Sequence, residues 1–274
     1  MISILQNNIN KWKVGEESAL LITSPYYSVG SSTLSKKLAN QNNALLIQID
    51  TLRNFLRISR FHFKEASGLN IDELEEKLKN NQIELTGEYD TFAQKDDVLT
   101  CIQFIKETQQ EIYDKLSNDI NFGDKVYTIK QSEFDKYDYD SKIFNDYIDW
   151  LLKKFRKGNK LVVIDGVVLL KRLSEDDELL NNAPVIIIDS DKLRVYFNAM
   201  KGISTQAKSA QPNKSMISIY CSLLWKMFKQ RKESYEIMNR GELYKKYIER
   251  NSNLYNSDNP NLINNLKYST DYDF

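Results

Sequence analysis

Residues 19–50, ALLITSPYYSVGSSTLSKKLANQNNALLIQID, decide how this chain is read. Ala19, Leu20, Leu21 and Ile22 form an apolar run that reads as a buried strand. Residues 23–30 read as a loop, and Ser31-Ser32-Thr33-Leu34 opens a helix with Leu34, Leu38 and Ala39 among its apolar positions. A second apolar run, residues 44–49, leads to Asp50. Strand, loop, helix, strand and acid is the phosphate-binding βαβ arrangement. The pattern GxxxxGK[ST] puts its first glycine at Pro25, its second at Gly30, its lysine at Ser31 and its hydroxyl at Ser32. Gly30 and Ser32 match; Pro25 and Ser31 depart.

The surviving residues suit an anion. A helix N-terminus presents backbone N–H groups and the positive end of its dipole, so it attracts phosphate without a side chain. Gly30 permits close backbone approach, and the Ser32 hydroxyl suits a magnesium ion bridging nucleotide phosphates. The missing lysine normally neutralises charge on the transferred phosphate. Loss of a contact aimed at a transition state costs about 2.7–4 kcal/mol, by analogy with oxyanion-hole deletions. Lys36 and Lys37 lie about a turn further along the helix and do not fill the vacant place. The alternative is a plain strand-to-helix turn in which Ser31 or Ser32 caps the helix.

The rest of the chain repeats the strand pattern. Leu161-Val162-Val163-Ile164-Asp165-Gly166 and residues 184–189, PVIIID, are continuous apolar runs ending in acids. Such runs are buried on both faces, as in a parallel sheet covered by helices. Ligands of open α/β sheets bind at the carboxyl ends of the strands, where Asp50, Asp165 and Asp189 stand. Asp50 suits a base or orienting group for an acceptor hydroxyl, or equally an N-cap for the helix read over residues 51–63. Asp165 suits a Mg²⁺–water ligand, or an acid satisfied in a turn. Amphipathic spacing predicts helices over residues 2–13, 70–80, 98–116 and 143–155, a helix after Ser190, and a long helical segment over 216–250 with Ile217, Ile219, Leu223 and Leu224 on its apolar side. Residues 125–130 read as a short strand, and the tail from 251 as loosely ordered polar chain.

Composition bounds the function classes. The 274 residues carry no formal net charge, which gives no electrostatic case for general nucleic-acid or anionic-membrane binding. Arg53, Arg57, Arg60 and the basic run over 226–232 leave a local nucleic-acid stripe as a weaker option. His62 is the single histidine, so a multi-histidine metal site is excluded and a His-based triad disfavoured. Cys101 and Cys221 are far apart in apolar helical settings and read as buried free thiols, consistent with a cytoplasmic protein. No apolar stretch reaches about 18 residues, so no membrane span is expected. The first residues lack the features of a secretory signal.

Together these stretches resemble the P-loop nucleoside kinases, in particular uridine kinase and nicotinamide riboside kinase-like proteins. Val29-Gly30-Ser31-Ser32-Thr33-Leu34 is similar to the family's GKTTL or GKSTL loop apart from the lysine. Ile49-Asp50 before Asn54-Phe55 is similar to its strand-ending aspartate before an aromatic segment. Residues 163–170, VIDGVVLL, resemble its "ivEGilll" strand, with Asp165 in place of glutamate. Tyr137-Asp138-Tyr139 is similar to an acceptor loop that reads Tyr-Asp-Phe, without the histidine that often follows. Arg194 remains where the family carries an arginine-rich helix and lid.

The resemblance implies an α/β, three-layer P-loop NTPase fold with a parallel sheet, a helical insertion and a long C-terminal helix. One kinase-like domain would span residues 1–250, with the insertion at about 66–124 and a polar tail at 251–274. It implies Mg²⁺ with ATP or GTP and a small-molecule acceptor. The nucleotide would sit on Ser28, Val29, Gly30, Ser31, Ser32 and Thr33, and the metal on Ser32 and Asp165. Asp50 and Arg194 would be catalytic, Arg53, Tyr137 and Asp138 would meet the acceptor, and Lys201 and Lys208 would serve the lid. Two functions follow: ATP-dependent phosphoryl transfer to a nucleoside or similar hydroxyl compound, or an impaired kinase-like pseudoenzyme that senses nucleotide or binds a protein partner.

Overall fold

The computed structural model describes residues 9–12, 18–26, 29–57, 69–83, 95–118, 142–156, 160–175, 183–191, 194–195, 215, 217–219, 221, 239–247 and 262–264. The side chains of 53, 54, 57 and 262–264 lie outside that description. The chain divides into two compact units, residues 1–44 with 155–274, and residues 45–154.

The first unit is built on a parallel sheet. Its strands are β1 (Ala19–Thr23), β3 (Val162–Asp165), β4 (Val185–Asp189) and β5 (Leu262–Asn264). Their order is β3-β1-β4-β5, and each of these neighbours pairs in parallel, with Ile22 opposite both Asp165 and Ile186. β1 is buried at all five positions and β3 at all four, which explains their unbroken apolar sequences. Helices α1 (Ser31–Gln41) and α7 (Val168–Ser174) pack on this sheet. Leu34, Leu38 and Ala39 of α1 are buried, as their spacing predicts. Ile9 and Trp12 are buried on the short helical stretch 9–12, and Trp12 Nε1 donates to Ser18 O at 3.2 Å. Residues 239–247 are helical and belong to the same unit.

The second unit holds β2 (Leu45–Gln48) and helices α2 (Ile49–Arg57), α3 (Ile71–Lys79), α4 (Lys95–Thr108), α5 (Gln110–Ser117) and α6 (Lys142–Phe155, whose last residue falls in the first unit). Asn70 caps α3 by accepting from Asp72 N and Glu73 N, while the Glu73 carboxylate accepts from Asn70 N. Ile71, Leu74 and Leu78 of α3 are buried, as are Val98, Cys101, Ile102 and Ile105 of α4. On α6, Phe144, Tyr147, Ile148 and Leu151 form the buried face. Phe104 meets the rings of Tyr147 and Trp150 at centroid distances of 4.8 and 5.7 Å.

Several expectations need correction. The second strand ends at Gln48, so Asp50 is not strand-ending; it lies in the first turn of α2. It is therefore inside that helix rather than its N-cap. The helix expected over 98–116 breaks at Gln109, just after Thr108 bonds back to Phe104 O at 2.8 Å, a contact that bends helices. Cys101 is buried, but Cys221 is exposed. Ile219 is buried while Ile217 is 76% exposed, because residues two apart on a helix face nearly opposite ways. The polar tail supplies edge strand β5, with Ile263 opposite Ile188. The strand expected at 125–130 lies outside the described residues. Among the described residues no helix is long and apolar enough to cross a membrane.

Candidate functional site

The carboxyl ends of β1 and β3 are tied together. Gly166 N donates to Ile22 O at 3.1 Å, and Thr23 Oγ1 donates to Gly166 O at 2.8 Å. These bonds hold the start of the β1–α1 loop against the Asp165-Gly166 turn. Asp165 itself is buried at the end of β3. Asp189 ends β4 on the other side of β1.

At its far end the loop turns into α1 through Gly30. Its φ of 103° lies in the left-handed region, which costs a residue with a Cβ about 1–2 kcal/mol. Gly30 is the N-cap, and its carbonyl accepts from Thr33 N and Leu34 N, each at 3.1 Å. No side chain caps this helix, and its first turn holds no acid. Neither Ser31 nor Ser32 acts as the cap, so a simple serine-capped turn is not what the chain builds. The result is a helix N-terminus with serines at its first two positions and no acid in its first turn to offset its dipole. Val29 is buried beneath it, Gly30, Ser31 and Ser32 are half-buried, and Thr33 is exposed.

The near end of the loop is engaged differently. Ser24 Oγ donates to Tyr26 O at 2.8 Å. Tyr26 is 1% exposed, and its hydroxyl donates to Glu242 on helix 239–247. Lys245 Nζ sits 4.7 Å from the Tyr26 ring centroid, 2.8 Å from Asp189 Oδ2 and 3.8 Å from Glu242 Oε1. Burial, then the hydrogen bond to Glu242 and the fields of Glu242 and Asp189, hold the Tyr26 hydroxyl well above the usual phenol range. It is therefore a neutral donor at physiological pH. Gly241 fits this contact because it has no Cβ: an added one would stand 2.5 Å from Tyr26 Cε1 and 2.6 Å from Pro25 O.

A second polar cluster lies in the helical unit. Asp97, 1% exposed, accepts at Oδ2 from Thr51 Oγ1 at 2.5 Å and from Gln48 N at 3.2 Å. One carboxylate thus holds Gln48 and Thr51, which bracket Ile49 and Asp50. Cys101, one turn along from Asp97, lies 3.4 Å from Tyr147 Oη. Burial and the nearby Asp97 charge push the Cys101 thiol up, and burial does the same to Tyr147, so both are neutral packing groups.

Of the residues singled out from sequence, Val29, Gly30, Ser31, Ser32 and Thr33 share the loop end and first turn of α1, and Asp165 belongs to the same unit. Arg194 follows β4 in that unit, with its N–H donating to Asp191 Oδ1 at 2.9 Å. Asp50 belongs to the helical unit. Ser28, Tyr137, Asp138, Lys201, Lys208 and the Arg53 side chain lie outside the described residues. Sequence reading missed Tyr26, Gly241, Glu242, Lys245 and Asp97. Only Asp97 left a signal, an acid one turn before Cys101 on an apolar stripe.

Among the described residues no group of three or more His, Cys, Asp or Glu side chains comes together as a metal site. Ser32 and Asp165 offer one hydroxyl and one carboxylate. These are hard oxygen donors of the kind that fit Mg²⁺ when water and phosphate complete its shell. Compared with known proteins, the chain matches no family model, no curated sequence and no solved structure.

Proposed function

We propose that this chain is a nucleotide-binding, P-loop kinase-like protein whose activity is phosphoryl transfer from ATP or GTP to a nucleoside or similar small hydroxyl acceptor. The observation that carries the reading is Gly30: a left-handed N-cap that opens α1 at the end of the loop after a central parallel strand, with no side-chain cap and no acid in the first turn. Such a terminus is suited to phosphate, and the buried Asp165 beside β1 supplies a carboxylate at the same end of the sheet. The three-layer P-loop architecture is part of this proposal.

In this reading the backbone N–H groups at Ser31 and Ser32 bind the nucleotide phosphates. Ser32 and Asp165 would hold Mg²⁺, which when bound would supply positive charge to offset that of the phosphates. Asp50 accepts the proton of the acceptor hydroxyl as its oxygen forms a bond to the terminal phosphorus and the bridging P–O bond breaks. Arg194 stabilises the negative charge spread over the transferred group. Ser31 in place of the lysine favours a second reading, a nucleotide-sensing or partner-binding module that keeps the site and lacks fast transfer.

Titration with ATP and GTP, with and without Mg²⁺, tests the proposal. Binding is expected, tightened by Mg²⁺. Absence of affinity at high nucleotide concentration overturns the enzyme reading and leaves the partner-binding one. Where binding is found, Asp50→Asn should abolish transfer with affinity nearly intact. Unchanged turnover removes Asp50 from its role.

A further inference from the structure

We draw no further inference here: the strongest candidate, the surface patch on helix 239–247 where the exposed Leu243 and Tyr247 stand one turn apart beside the exposed Lys246, carries nothing because nothing in the structure shows what covers it.

Discussion

In the sheet unit, Asp189, Glu242 and Lys245 meet at Tyr26, and the Tyr26–Glu242 bond joins residues 216 apart in sequence. In the helical unit, Lys106 pairs with Asp72 at 2.6 Å and Glu75 at 2.5 Å, joining α4 to α3, and Trp150 Nε1 donates to Glu107 Oε2 at 2.7 Å, joining α6 to α4. The second set links helices that pack on one another anyway. The first set links a distant helix to the loop at the carboxyl ends of parallel strands, where α/β sheets bind ligands. Charge that merely joins neighbouring helices stabilises a fold. Charge at Tyr26 instead fixes the near end of the loop against helix 239–247.

The largest expected effect concerns the frame beneath that loop. Leu21 is fully buried in the strand flanked on both sides, so Leu21→Ala should cost about 2–5 kcal/mol in urea unfolding. A loss below 1 kcal/mol would mean that β1 is not the centre of a packed sheet. In the helical unit, Asp97→Ala deprives the Gln48 N–H and the Thr51 hydroxyl of their shared acceptor. Its expected cost is about 1–3 kcal/mol for each buried group, read by the same unfolding measurement.

Much of the frame was readable in the residues, for a physical reason. β1, β2, β3 and β4 each bury both faces, so their burial is written as continuous apolar runs. β5 is not, because three residues in a polar tail carry no period, and its pairing with β4 depends on a partner more than 70 positions away. Gly30 and Asp165 were legible because their spacing from apolar strands is local. The Tyr26–Glu242 contact was not, because nothing near Tyr26 announces a glycine that lets a distant helix approach. Asp50 was misplaced by two residues because the apolar run continues into the first turn of α2, where Ile49 is buried like a strand residue.

A smaller effect concerns the far end of the loop. Gly30→Ala forces a Cβ into a backbone at φ 103° and should cost about 1–2 kcal/mol of stability. It should also weaken nucleotide binding. Affinity unchanged in the folded variant would remove this end of the loop from the phosphate site.

The smallest effect is the acid response of the helical unit. Burial alone would raise the carboxyls of Asp72 and Glu75, but hydrogen bonds from Lys106, with Tyr113 and Lys79, outweigh it and hold both below their ordinary values of 3.8 and 4.5. Their contribution is therefore present above pH 4.5 and lost as pH falls through the lowered values. For Lys106, burial opposes the charge but the two carboxylates prevail and raise it above 10.5. Its share is present below pH 10.5 and lost as pH rises through the raised value. Lys106→Met should cost at most about 1 kcal/mol at neutral pH, because the site is partly exposed, and should flatten the acid limb of a stability–pH curve. An unchanged acid limb would show that these pairs do not set it.

The most direct test of the central claim is equilibrium titration of the full chain with Mg²⁺ and ATP or GTP, run in parallel on Gly30→Ala. Saturable binding to the wild type, clearly weakened in the folded variant, is the predicted result. No binding to the wild type at high nucleotide concentration, or binding that Gly30→Ala leaves unchanged, would contradict a phosphate site at the start of α1.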